Sequence, residues 1–156
     1  MARFKKNPSM SKYLKGISKG FDDFDFYCLF AMLGVAKNEK ITLERGGDMG
    51  IDDFTKGFRK YQEIYALTVM LATMINKKFD PNNEDHLRDH FKEFLSKGYS
   101  NPLSDTGKKT LDNYANGGFK FYNEKYPVAQ LSLSHFLLRI NTEIEEGFKT
   151  NTGFNF

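Results

Sequence analysis

Apolar side chains recur every three or four positions through residues 53–79: Phe54, Phe58, Tyr61, Ile64, Tyr65, Thr68, Leu71, Ala72 and Ile75. That period predicts one long helix with a broad apolar face. Asp52 or Asp53 can cap its first amides, and Lys77 and Lys78 stand at the negative end of its dipole. Such a helix spans roughly 39 Å, enough to cross a small domain, so the other helices are expected to pack around it.

The flanking stretches read as shorter helices. Residues 1–8 predict a flexible arm ending at Pro8, after which Met10, Tyr13, Leu14 and Ile17 mark a short helix weakened by Gly16 and Gly20. Residues 21–35 are densely apolar, with Asp22, Asp23 and Asp25 confined to the first turn, and predict the most buried helix. Residues 37–52 hold three glycines and no helical period, which predicts a surface loop. Leu87, Phe91, Phe94 and Leu95 form a narrow stripe that ends at Gly98. Ser104 or Asp105 opens a further helix carrying Leu111, Tyr114, Ala115, Phe119 and Tyr122, in which Gly117 and Gly118 permit a kink or a close helix crossing. Phe136, Leu137, Ile140 and Ile144 predict a last helix over 132–148, with Glu143, Glu145 and Glu146 on its polar side. The expected fold is therefore all-α, a single-domain bundle of five to six helices around the long central one. It divides into a basic arm with a short helix (1–20), a helical domain (21–148) and a flexible tail (149–156).

Composition changes this picture little. A chain of 156 residues can bury roughly 70% of its unfolded surface, so it needs no disulfide or metal staple. Cys28 is the only cysteine, which excludes an intramolecular disulfide and a cysteine-built zinc site. No apolar run is long enough for a signal peptide or membrane span, and a cytoplasmic setting is expected. Charge is more informative. Residues 1–20 carry Arg3, Lys5, Lys6, Lys12, Lys15 and Lys19 and no acid, so these six are the candidate contacts to DNA or RNA phosphates. A solubilising basic terminus is the plainer alternative.

Few residues point to catalysis. His86 and His90 lie four apart, a spacing at which two imidazoles can bind one metal, with Asp85, Asp89 or Glu93 nearby. Leu87 stands where a zinc-protease helix has its glutamate, so the alternative is an ordinary helix face holding two histidines. The glycines of 46–50 match no phosphate-loop spacing, and turn geometry explains them. Cys28 sits inside an apolar helix, contrary to what a nucleophile needs. No cofactor is implied.

Two stretches carry a resemblance. The run from Phe24 to Lys37, and Tyr114-Ala115-Asn116-Gly117-Gly118 before Phe119 and Phe121, resemble small helical accessory proteins found beside bacterial DNA phosphorothioation and phage-defence genes. That resemblance implies a bacterial or phage origin and a role next to DNA-acting partners, and it carries over no site residue. The expected function is a non-enzymatic accessory subunit that binds a protein partner, with Phe119, Phe121, Tyr122 and Tyr126 as candidate partner contacts. The alternative is a metal-dependent nuclease or other hydrolase using His86 and His90.

Overall fold

The computed structural model describes residues 3–17, 20–44, 47–51, 53–76, 80, 82–96, 102–128 and 132–152. Among them the fold is all-α: α1 (Pro8–Leu14), α2 (Asp23–Lys37), α3 (Gln62–Asn76), α4 (Glu84–Phe94), α5 (Asp105–Lys125) and α6 (Leu133–Thr152). A short 3-10 helix, Arg59–Tyr61, precedes α3, and the strands β1 (Lys5–Lys6) and β2 (Gly47–Asp48) form a minimal sheet. The chain divides into two compact units, one of residues 5–47 with 112–156 and one of residues 1–4 with 48–111.

In the larger unit α2 is the buried element. Asp22 caps it, accepting from the amides of Phe24 (2.8 Å) and Asp25 (3.0 Å), while Asp25 returns a bond to the Asp22 amide (2.8 Å). The helix stops at Asn38, whose φ of 56° is left-handed. Phe24, Phe26, Tyr27, Cys28, Phe30, Ala31, Leu33 and Ala36 are all buried, and only a strip through Asp25, Leu29, Met32 and Val35 keeps partial contact with water after exposed Asp23. Glycine sets how near its neighbours come. A Cβ on Gly34 would fall closer than 3.0 Å to the Tyr114 carbonyl, and one on Gly118 equally close to the Phe30 carbonyl, so α2 and α5 meet backbone to backbone. The Gly117-Gly118 pair thus serves a close crossing, and α5 runs through it unbroken. Gly147 of α6 lies as tightly against Ala36. Phe30 then meets the rings of Phe119 (5.3 Å), Tyr122 (5.7 Å) and Phe136 (5.8 Å) edge-on.

Residues 4–8, expected to belong to a flexible arm, are held in the fold, and the short helix expected after them is α1. Phe4, Met10, Tyr13, Leu14 and Ile17 are buried. Within the larger unit the Lys5 amide donates to Asp112 Oδ1 (2.9 Å) and the Asn7 amide to Asn116 Oδ1 (2.7 Å). Both acceptors are buried polar groups of α5, whose desolvation is offset by these bonds. Asn7 caps α1 by accepting from the Ser9 amide (2.9 Å), and Pro8 supplies the preset first turn.

The smaller unit holds the stretch expected to form the central helix. There α3 begins only at Gln62, because Thr55 accepts from both Phe58 and Arg59 (2.9 Å each) in a turn around Gly57. Phe54 and Phe58 still pack on Tyr65 (5.9 and 6.0 Å), so the apolar spacing is served by a turn rather than by helix. Asn83 caps α4 by accepting from the His86 amide (3.1 Å). The glycine loop is turn chemistry: Asp48 Oδ1 accepts from the Gly50 amide (2.7 Å), and Gly50 has φ +73°.

Replacing Gly34 or Gly118 with alanine is expected to destabilise the protein by about 3 kcal/mol or more, since only backbone atoms are available to move. Gly57→Ala, which meets open space, is the control and should change the urea midpoint little. Deleting residues 1–17 should abolish cooperative unfolding, because it removes five buried apolar side chains.

Candidate interaction surface

α3 is apolar nearly all round. From Ile64 to Asn76 it carries no charged residue. A helix of that composition is normally enclosed, as α2 is. Yet α3 buries only the side bearing Tyr65, Ala66, Val69, Met70 and Thr73, and leaves Ile64 55%, Leu67 46% and Leu71 53% exposed. The spacing 64, 67, 71 puts these three in one stripe, at 100° per residue opposite the buried side. Tyr61, one turn earlier, and Phe91 on α4 are exposed as well. Leu138 on α6 is also exposed, but Ser134, His135, Asn141 and Thr142 surround it at helical spacing, so it stands alone. Covering Ile64, Leu67 and Leu71, each about half-exposed, is worth roughly 3 kcal/mol in total. That is short of even millimolar affinity, so a lasting complex needs polar contacts beside the stripe.

The six basic residues near the amino terminus do not form one patch. Lys6 is buried, its Nζ paired with Asp23 Oδ2 and bonded to Ser11 Oγ (2.6 Å). Arg3 faces Asp48 (3.4 Å), Lys5, Lys12 and Lys15 are exposed, and Lys19 lies outside the described residues. The metal candidates also part. His86 is exposed, whereas His90 is buried against Phe94 (4.7 Å), with its Nε2 donating to the Met70 carbonyl (3.2 Å). No group of three His, Cys, Asp or Glu able to hold a metal occurs among the described residues.

Of the four aromatics expected to meet a partner, two lie inside the larger unit and two are partly open. Phe119 and Tyr122 are core residues, because the α5 face that bears them is the one pressed on Phe30. Phe121 and Tyr126 are half-buried beneath cations: Lys37 lies 5.0 Å from the Phe121 ring centre and Arg139 5.0 Å from that of Tyr126. The Tyr122 hydroxyl is buried and bonds no described group. Burial, with Tyr13 nearby, pushes its pKa above the ordinary phenol range.

Sequence periodicity placed Glu143 on the polar side of α6, but it is 2% exposed. Position 143 follows Phe136 by seven and Ile140 by three, which is the buried face. Its Oε1 accepts from Lys125 Nζ (2.5 Å) and the Tyr126 hydroxyl (2.7 Å), and Oε2 lies 3.0 Å from Lys37 Nζ. Burial alone would raise its pKa. The bonds from Lys125, Tyr126 and Lys37 outweigh that and hold the carboxyl at about 2, against an ordinary 4.5. This cluster ties α2, α5 and α6 together, Oε1 through directed bonds and Oε2, which has no hydrogen-bond partner, through the nearby Lys37 charge.

Because the folded carboxyl titrates below the unfolded one, its contribution of about 3 kcal/mol is present above pH 4.5 and is lost as pH falls toward 2. Glu143→Gln should therefore lower stability at pH 7 by an amount of that order and flatten the acid limb of a stability–pH curve. Tyr122→Phe is expected to be neutral or to raise stability by about 1 kcal/mol, as it removes a buried hydroxyl that gains nothing. Thermal melts of the two variants against the parent protein check both outcomes.

The chain matches no family model, no curated protein and no solved structure, so a functional reading rests on the residues and surfaces described above.

Proposed function

We propose that the protein is a non-enzymatic helical interaction subunit that holds a protein partner against the outer face of α3. The observation that carries this reading is the exposed stripe of Ile64, Leu67 and Leu71 on a helix with no charged side chain beyond Glu63. A contiguous apolar strip on a folded chain is most economically explained by something that covers it. His90 beside it is committed to Met70, and two of the four acids of α4 pair locally, Asp85 with Arg88 (3.4 Å) and Asp89 with Lys92 (3.7 Å). Nucleic-acid binding has less support, because among the described residues of the basic terminus only Lys5, Lys12 and Lys15 are exposed with no carboxylate at ion-pair distance. No described helix is long and apolar enough to cross a membrane, so α3 is not read as a span.

Thiol labelling tests whether the face is open. In Leu67→Cys and Leu71→Cys variants the introduced thiol should react with an alkylating reagent at nearly the rate of a free peptide thiol, while buried Cys28 stays unmodified. Labelling as slow as that of Cys28, in protein with an unchanged melting temperature, would mean that the chain covers this face itself and would end the proposal.

A further inference from the structure

We infer that the occupant of the α3 face is a helix-forming segment of a partner protein, apolar along one side and acidic where it passes the amino-terminal end of α3. This rests on reading α3 as a partner-binding face and adds the partner's chemistry. The stripe of Ile64, Leu67 and Leu71 follows helical spacing, which a second helix laid alongside matches with its own three- and four-residue repeat. Among the described residues, charge near the stripe lies at its amino-terminal end, where exposed Glu63 is outnumbered by three cations. Lys56, Arg59 and Lys60 are exposed just before α3, where the positive end of its dipole also lies. Arg59 is engaged by Asp53 (3.3 Å), but no carboxylate lies within ion-pair distance of Lys56 or Lys60 among the described residues. Lys60 sits over the Tyr61 ring (4.7 Å) and precedes Ile64 by four residues, so its ammonium flanks the stripe. These two cations supply the polar contacts that the apolar area alone does not.

The same charges count against other occupants. A second copy laid parallel would set Lys60 against Lys60. An anionic bilayer would meet α4, which packs on α3 through His90 and Met70 and bears Glu84, Asp85, Asp89 and Glu93 against Arg88 and Lys92. A single helix following α3 avoids that acidic surface.

The probes are two synthetic amphipathic peptides of about 16 residues, near the length of α3. They share one Leu/Ile stripe and differ in carrying glutamates or lysines at the ends. Binding to the full chain is followed by fluorescence anisotropy. The glutamate peptide should bind at least about tenfold more tightly than the lysine peptide, with the difference shrinking as salt rises. Leu67→Ser/Leu71→Ser should abolish binding, and Lys56→Glu/Lys60→Glu should reverse the preference at an unchanged melting temperature. Equal affinity for both peptides, or no binding to either while the Leu67→Cys thiol labels rapidly, overturns this inference and leaves the interaction reading standing. Concentration-dependent dimers in sedimentation, or stronger binding to phosphatidylserine vesicles than to the glutamate peptide, also overturns it by naming a different occupant. Slow labelling at position 67 removes both.

Discussion

The larger unit depends on the contact between the backbones of α2 and α5. Two helices approach this closely only where neither presents a side chain, and Gly34 and Gly118 provide that on opposite sides of one crossing. With the axes drawn together, Phe30 reaches Phe119, Tyr122 and Phe136 at once, and an aromatic core closes without tryptophan. Gly147 repeats the device where α6 meets Ala36, so α2 is gripped by backbone on two sides. Each side chain around it must then fit a fixed gap, which is why the rings meet edge-on at 5 to 6 Å.

Two helices of similar composition end in different circumstances. Both α2 and α3 are 15 residues long and mostly apolar, with their charged residues confined to the ends. α2 is enclosed because α5 and α6 are shaped to receive it, whereas α3 has its buried side satisfied by Phe54, Phe58 and α4 and its other side bare. Helix composition tells how much burial an element calls for, and the packing tells how much it has received. The difference between the two is what supports the proposal that a partner covers α3.

Much of the fold was legible in the sequence, for local reasons. Asp22 and Asp25 advertise the start of α2 through capping chemistry, Ser104 that of α5, and the adjoining glycines at 117 and 118 a crossing. The long central helix failed because Phe54, Phe58 and Tyr61 keep a spacing that a turn followed by 3-10 helix also satisfies, and periodicity does not separate the two. The candidate sites fared worse, since burial of a polar group depends on partners far away in sequence. Lys6 belongs with Asp23, the Lys5 amide with Asp112, and Glu143 with Lys37. No local pattern pairs those residues. The α3 stripe has the pattern of core for the same reason: Ile64 and Leu71 have the right character for burial, and only the packing reveals that about half of each stays open to water.

The tether between the amides of Lys5 and Asn7 and the side chains of Asp112 and Asn116 joins positions 107 and 109 residues apart. During synthesis at about 5 to 20 residues per second, the first strand waits roughly 5 to 20 seconds after leaving the ribosome before its acceptors exist. Until then its backbone donors are met by water or by whatever extended chain lies nearby. The larger unit is therefore one that a nascent chain finishes late, and its opening residues are the part most in need of shelter while translation proceeds.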